Sequence, residues 1–322
     1  MEIASIVLII LGLIVFEIIT SIDNAVINAE VLHTMSAKAK RWFLTWGIVF
    51  AVFAIRGVLP WLIIWATNPG LGPLGALTAT FSNDPAVHAA ILQSAPPLLM
   101  AGGTFLLFLF LNWIFIEPKH YGLRVERFIH QNSVWFFAIA SVALSILVWF
   151  AIQHNPFMAF GAVVGSTAFF IVNGFKENAA QQERELMKYN RNLTDISKIL
   201  YLEIIDATFS IDGVLGAFAF TLAVPLILIG NGIGAVAVRQ ITVSNIENVK
   251  KYRYLKNGAM YSIAVLGCIM VADAFGFDIP SWLSPVSTFI IIGFFFWKSH
   301  TEIKTTEKNV EQIKKIIPVV KG

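Results

Sequence analysis

Nine apolar stretches, each close to the length that crosses a lipid bilayer, constrain this chain more than any other feature. They are residues 3–32, 42–66, 97–116, 134–153, 156–174, 199–222, 224–243, 257–275 and 283–298. A bilayer core about 30 Å thick is crossed by a helix of about 20 apolar residues. Only 13% of the 322 residues are charged, too few to cover a soluble protein of this size. The sequence therefore predicts an all-α polytopic membrane helix bundle of about nine transmembrane helices in contact with the lipid bilayer.

The basic residues predict the orientation of the chain. All 23 Lys and Arg except Arg56 and Arg239 fall in the loops after the first, third, fifth and seventh stretches or in the segment from Lys298 onward. Loops on the cytoplasmic side carry an excess of such residues. We therefore expect the N-terminus outside, the C-terminus in the cytoplasm and, as location, a prokaryotic inner membrane.

An internal repeat relates the two halves of the chain. Ser21-Ile22-Asp23 matches Ser210-Ile211-Asp212, and in the following stretch Ala54-Ile55-Arg56 matches Ala237-Val238-Arg239. The copies begin on the first and sixth stretches, so five crossings separate them and they run in opposite directions. This predicts an inverted-topology repeat of stretches 1–3 and 6–8, an architecture common in transporters.

The repeat divides the chain into five predicted parts. These are a first transmembrane repeat (1–116), two linking transmembrane helices (117–174), a cytoplasmic connector (175–198), a second repeat with the final helix (199–298), and a cytoplasmic tail (299–322). The tail has apolar residues at near-heptad spacing, which fits an amphipathic surface helix or a solvated disordered segment equally well.

Acidic residues within the apolar stretches are the candidates for function. Glu17 and Asp23 lie on the first stretch, and Glu203, Asp206 and Asp212 lie on the sixth. A charged side chain at the centre of a membrane helix costs about 2.5–3.5 kcal/mol, so a bound cation, a proton or an internal partner must offset the charge. Five carboxylates exceed the two arginines within the stretches, which favours a cation site over purely structural pairing.

The spacing of these acids leaves two local structures open. Within each copy the two repeat-related acids are six residues apart, which places them about 240° apart around a regular helix. On regular helices neither pair shares a face. If the helices unwind near Ser-Ile-Asp, both acids of a pair can point at one centre, as in midplane sites built from broken helices.

Most other polar residues of the stretches have two interpretations. Glu30 and Glu203, near cytoplasmic ends, are candidates to line an inner vestibule that attracts cations, and Glu30 has the alternative of a plain interfacial acid. Asn231 either coordinates the cation through its amide oxygen or only holds neighbouring helices together by hydrogen bonds. Arg56 and Arg239 are structural partners of the acids, or they gate the site by competing with the cation for the carboxylates.

The available ligand atoms predict the class of ion. Carboxylate and amide oxygens suit Mg²⁺, Ca²⁺ or Mn²⁺ rather than Zn²⁺ or Cu⁺, and no thiol lies near the acids. Protonation of the same acids could couple ion release to a proton gradient. We find no phosphate-binding glycine loop, nucleophile–base arrangement or nucleic-acid motif, so we expect neither an enzyme nor a nucleic-acid partner. The sequence leaves the oligomeric state open.

These motifs resemble the TerC (tellurite-resistance) family of membrane proteins, which belongs to the LysE-type transporter superfamily. The resemblance rests on Glu17 with Ser21-Ile22-Asp23-Asn24, on Glu203-x-x-Asp206 with Phe209-Ser210-Ile211-Asp212, and on Asn231 eight residues before Arg239. It implies cation efflux, chiefly of Mn²⁺, by an inverted-repeat bundle. It also implies the metal ligands Glu17, Asp23, Asn24, Asp206, Asp212 and Asn231. Gly213 and Gly230 stand where the family usually has Ser, which removes a hydroxyl ligand.

The leading hypothesis is a secondary transporter that exports a divalent metal, Mn²⁺ before Mg²⁺ or Ca²⁺, through a midplane carboxylate site. One alternative is an intramembrane hydrolase that uses a carboxylate pair, because two acids that share a proton can activate water. The other is a metal-binding sensor or partner protein that does not transport.

Overall fold

The computed structural model describes residues 3–50, 56–79, 85–189, 194–244 and 246–316, and its long elements are all helices. In chain order the α-helices are α1 (Ile3–Thr20), α2 (Ile22–His33), α3 (Ala37–Trp42), α4 (Ile48–Phe50), α5 (Val58–Thr67), α6 (Gly72–Thr78), α7 (Pro85–Phe115), α8 (Arg124–Gln131), α9 (Phe136–His154), α10 (Pro156–Tyr189), α11 (Asp195–Ala217), α12 (Val224–Ser244), α13 (Ile246–Lys250), α14 (Leu255–Ala274) and α15 (Leu283–Ile316). A π-helical turn, Phe43–Gly47, joins α3 to α4. This confirms the predicted all-α membrane bundle.

Six helices in the described ranges are long and apolar enough to cross a membrane, fewer than the nine predicted. They span Ile3–Thr20, Gln93–Phe115, Ser133–His154, Pro156–Asn178, Val224–Thr242 and Leu255–Ala274. The second predicted stretch is divided among short helices, with α5 only 10 residues long. The sixth forms α11, which is long but carries four acids, and the ninth reaches Lys298 after 15 residues of α15.

The first predicted stretch bends at Ser21 but does not unwind. Ser21 separates α1 from α2, yet its amide donates to the Glu17 carbonyl at 3.1 Å and its carbonyl accepts from the Ala25 amide at 2.9 Å. In the second copy α11 continues through Ser210-Ile211-Asp212 without a break. Of the two local structures that the spacing left open, the structure has the one without unwinding, because the backbone hydrogen bonds continue through both acidic motifs.

Two helices continue past the predicted membrane boundaries. Helix α10 extends to Tyr189, well into the predicted connector, and α15 extends to Ile316, through most of the predicted tail. The tail is thus helical up to residue 316, but as a continuation of the last helix rather than a separate surface helix. Disorder is wrong for that range, and residues 317–322 lie outside the described ones.

Close contacts at glycines establish the relative directions of the helices. An added Cβ at Gly230 would lie 2.5 Å from Leu13, and one at Gly234 would lie 2.6 Å from Glu17, so α12 runs parallel to α1. Gly213 lies against Glu17 and Gly216 against Phe16, so α11 runs antiparallel to α1. The two acidic motifs therefore pass each other in opposite directions, as an inverted repeat requires.

The exposed surface of the helices is apolar. Trp149 is 66% exposed on α9, and Phe157 and Phe160 are exposed on α10. The core between the helices is equally apolar, with Phe105, Phe108, Phe136 and Phe169 buried. Apolar side chains on both the inside and the outside of a bundle are the arrangement that lipid, rather than water, accommodates. The chain is accordingly an integral membrane protein.

Candidate functional site

Glu17 from α1 and Asp206 from α11 meet at the side chain of Arg56. The guanidinium donates from Nε at 2.9 Å and from Nη2 at 2.7 Å to Glu17 Oε1, and from Nη1 at 3.4 Å to Asp206 Oδ2. All three residues are buried. Asp206 lies at the midpoint of α11, and Glu17 contacts Gly234 at the midpoint of α12. The two copies thus bring one acid each to a common place near the middle of the bundle.

Arg239, the repeat counterpart of Arg56, lies beside the acids that Arg56 contacts. Its Nη2 is 3.9 Å from Asp206 Oδ2 and 3.8 Å from Glu203 Oε1. Its Nη1 donates to the Phe43 carbonyl at 2.6 Å, and the guanidinium carbon lies 4.0 Å from the centroid of the Phe43 ring. Both arginines therefore pair with acids, and Arg239 also donates to a backbone carbonyl of the π-helical turn.

The π-helical turn that follows α3 makes room for Glu203. Gly47 ends this turn, and a Cβ there would collide with Glu203 Oε1. Glu203 is buried and neither of its carboxylate oxygens has a hydrogen-bond partner among the described residues. Glu203 thus belongs with Glu17, Asp206, Arg56 and Arg239 to one buried group, the central cluster, whereas the sequence suggested a vestibule. Sequence reasoning missed Phe43 and Gly47, since no motif marks a π-helical turn.

The central cluster carries more negative than positive charge. If all its members are ionised, three carboxylates (Glu17, Glu203 and Asp206) face two guanidiniums (Arg56 and Arg239) among the described side chains. A buried carboxylate without a full partner is costly in a low-dielectric environment. The cluster can lower that cost by taking up a proton or a cation.

Asn24 and Gly213 occupy equivalent places in the two copies. Asn24 Nδ2 donates to Asp206 Oδ1 at 2.5 Å, while the Asn24 oxygen has no hydrogen-bond partner among the described residues. Across the cluster, a Cβ on Gly213 would lie 2.8 Å from Glu17 Oε2. The first copy therefore supplies an amide to the acid of the second copy, whereas the second copy places a glycine, which has no side chain, tightly against the acid of the first.

Two further buried amides near this region lack partners. Asn231 of α12 is 0% exposed, and neither its nitrogen nor its oxygen forms a hydrogen bond with a described residue. It lies between Gly230 and Gly234, the positions that contact α1 at Leu13 and Glu17. Asn28 of α2 is buried with its oxygen likewise unpaired. Such groups are rare in folded proteins because an unmade hydrogen bond is expensive.

Asp212 does not join the central cluster. It forms an ion pair with Lys176 of α10, and its Oδ1 has no hydrogen bond within the described residues. Asp206 and Asp212 therefore point to different partners, as their six-residue separation requires on the regular helix α11. Lys176 was missed, because the sequence placed it in a loop just beyond the fifth predicted stretch.

The remaining predicted site residues lie outside what the structure describes. Asp23 and Glu30 are in α2, but their side chains are not among the described ones. Among the described side chains, no group of three or more His, Cys, Asp or Glu is arranged to hold a metal ion. The arginines occupy the space between the carboxylates that a cation would need.

Together, the fold and this cluster define a polytopic α-helical membrane protein with a buried carboxylate–arginine network. Residues 22–306 match the family described as "Protein of unknown function (DUF475)", and the chain belongs to that family. The chain is also 26% identical over 118 residues to the "Uncharacterized membrane protein YceF" of Bacillus subtilis (strain 168). That match covers 35% of this chain and 46% of the relative, so the chain spans about half the length of the relative. No solved structure matches significantly.

Proposed function

We propose that this protein is a secondary transporter that exports a divalent cation, Mn²⁺ in the first instance, through the central cluster. The observation that carries the proposal is the excess of buried carboxylates over guanidiniums where the antiparallel motifs of α1 and α11 meet. Buried ionisable groups in membrane helices typically mark ion or proton pathways. The resemblance of both acidic motifs to the TerC family supports the same substrate class.

The proposed ligands are the oxygens that the cluster leaves partly unused. Glu17 and Asp206 supply carboxylates, Asn24 has a free amide oxygen, and Asn231 has a second one nearby. Hard oxygen ligands of this kind suit Mn²⁺, Mg²⁺ and Ca²⁺. Asp23 remains a proposed ligand although its side chain lies outside the described ones, whereas Asp212, which pairs with Lys176, is not included in the proposed ligand set.

Arg56 is the proposed gate. In the described conformation its guanidinium satisfies Glu17 and Asp206 together, so a cation can bind only if Arg56 withdraws. Exchange between guanidinium and metal would keep the carboxylates neutralised in both states and thus avoid an uncompensated buried charge. Protonation of Glu203 or Asp206 on the return step would couple export to the proton gradient.

The carboxylate-pair hydrolase is less well supported than transport. Two acids that activate water share a proton between adjacent carboxyl groups. Here the guanidinium of Arg56 lies between the carboxyl groups of Glu17 and Asp206 and donates to both, so the two acids are not adjacent to each other. We therefore propose a function without a catalytic step.

The test is Mn²⁺ flux into proteoliposomes, measured with a fluorescent indicator. Glu17→Gln and Asp206→Asn each remove one proposed ligand and should lower flux at least about 10-fold, the loss typical of a disrupted metal site. The matched control is Asp278→Asn, which removes the same charge from an exposed loop and should leave flux unchanged. Full flux in both site variants, or metal binding with no flux in the wild type, would contradict the proposal.

A further inference from the structure

A short helix between two membrane helices has three distinct faces. Helix α8 follows α7 after eight residues and is joined to α9 by a single 3-10 turn, so it must lie close to the membrane surface. Glu126 points inward, is fully buried, and accepts hydrogen bonds from the Gly122 amide at 2.7 Å and Asn257 Nδ2 at 2.9 Å. Val125 and Phe128 are exposed, and Arg124 and Arg127 form a basic face beside them.

The basic face borders a cavity of about 480 Å³. Arg124 and Arg127 line it together with Lys298 of α15, and Tyr121 and Tyr254 supply aromatic walls. No acidic residue lines this cavity in the described part of the chain. The carboxylate of Glu126 is buried against Gly122 and Asn257 and does not line the cavity, so the three basic side chains have no acidic counterpart among the described lining residues.

We propose that this cavity binds the phosphate-bearing headgroup of an anionic phospholipid. Charge complementarity is the first argument, because three cations around one opening are the arrangement that binds phosphate. Basic pockets between membrane helices recognise anionic headgroups in this way. The cavity shares no described residue with the central cluster, so this proposal stands or falls independently of transport.

The apolar face of α8 indicates a lipid rather than free phosphate as the source. Phe128 is 68% exposed, and the exposed Val134 and Trp135 continue the same apolar surface towards α9. Acyl chains or interfacial lipid cover such side chains favourably, and Trp is enriched at the membrane interface. A phospholipid therefore fits both halves of the surface, with its headgroup in the cavity and its chains beside Phe128.

The experiment measures binding of dioctanoyl phosphatidylglycerol to the full-length protein in neutral detergent by native mass spectrometry. Dioctanoyl phosphatidylcholine is the zwitterionic comparison, and inorganic phosphate is the competitor that distinguishes a lipid site from a phosphate site. The site variant is Arg124→Gln/Arg127→Gln. The control variant, Lys304→Gln/Lys308→Gln, removes the same charge from exposed positions of α15.

We expect the wild type and the control variant to bind phosphatidylglycerol more tightly than phosphatidylcholine. Each basic side chain near a membrane surface contributes about fivefold in affinity, so the site variant should bind about 30-fold more weakly. Lys298→Gln should weaken binding about fivefold and serves as a second variant if the double variant does not fold. Equal binding by wild type and both site variants, no preference for the anionic lipid, or displacement by millimolar phosphate would overturn the proposal.

Discussion

At the residue scale, the buried arginines determine how the acidic motifs are used. The sequence indicates that Arg56 and Arg239 lie within apolar stretches and that acids are their natural partners. It does not reveal that Arg56 bridges one acid from each copy, or that Arg239 also donates to the Phe43 carbonyl. Those pairings depend on side chains that are distant in sequence and come together only when the helices pack.

Arg56→Gln should destabilise the folded protein strongly. It leaves Glu17 and Asp206 buried without their shared cation, and loss of one partner of a buried ion pair costs about 3–5 kcal/mol. Thermal unfolding in detergent, followed by tryptophan fluorescence, measures the loss. Arg41→Gln, at an exposed position, is the control and should have little effect.

A second substitution separates charge from packing in the same experiment. Glu17→Gln added to Arg56→Gln removes one of the two uncompensated charges and should recover part of the lost stability. If Arg56→Gln alone is as stable as the wild type, the ion pair does not contribute to the folded state.

Lys119, in the loop between α7 and α8, should make stability depend on pH. Burial lowers the pKa of this ammonium from 10.5 to about 8. Between these values the unfolded chain binds more protons than the folded one, so this contribution to stability rises with pH from about 8 to about 10.5. The rise should be absent in Lys119→Met, which is checked by comparing unfolding temperatures at pH 7 and pH 10. If the unfolding temperature changes equally between pH 7 and pH 10 in the wild type and in Lys119→Met, the Lys119 side chain is not desolvated.

At the element scale, small residues determine which helices touch. On α10, a Cβ at Gly161 would collide with the Pro97 carbonyl and one at Gly165 with the Ala101 carbonyl, both in α7. These contacts make α7 and α10 parallel and bring their backbones close together. Periodic glycines are visible in the sequence, but glycine also occurs where nothing is near, as at Gly174 of the same helix.

Two glycine substitutions on α10 provide a matched pair. Gly165→Ala should destabilise the protein by about 1–3 kcal/mol, because an overpacked contact with a backbone carbonyl cannot relax easily. Gly174→Ala faces open space and should be neutral or stabilising by up to about 1 kcal/mol, the gain of Ala over Gly in a helix. Unfolding temperatures of both variants test the packing of α7 against α10, and equal effects would contradict it.

At the scale of the whole molecule, the helix directions agree with the topology predicted from the basic loops. The contacts make α1 parallel to α12 and antiparallel to α11. They also make α7 antiparallel to α14, because Gly102 contacts Met270 while Gly267 contacts Leu106 and Leu107. An odd number of crossings separates each antiparallel pair in the nine-stretch prediction, and an even number separates each parallel pair.

Cysteine labelling tests the orientation in the membrane. Cys268→Ser removes the single native cysteine, and Gln131→Cys and His154→Cys then introduce one exposed cysteine each. In intact cells a membrane-impermeant maleimide should label His154→Cys, on the predicted outer side, and not Gln131→Cys. Lysed cells should give labelling of both, and the reverse pattern in intact cells would invert the topology.

The amino-acid sequence was sufficient to predict the membrane class, the all-helical fold and the antiparallel relation of the two acidic motifs. Each of these follows from short-range patterns: apolar length, the sidedness of charge, and the parity of crossings between repeated motifs. Even the different directions of Asp206 and Asp212 follow from helical periodicity, once the helix is known to be regular.

The pairing of the buried charges and the ends of the helices, by contrast, could be known only from the packed helices. Arg56 reaches both copies, Lys176 takes Asp212, and the π-helical turn that ends at Gly47 admits Glu203. The physical reason is that electrostatic pairing in a low-dielectric bundle depends on distances of a few ångströms between distant segments. Those distances are set by the packing of whole helices, which no local pattern encodes.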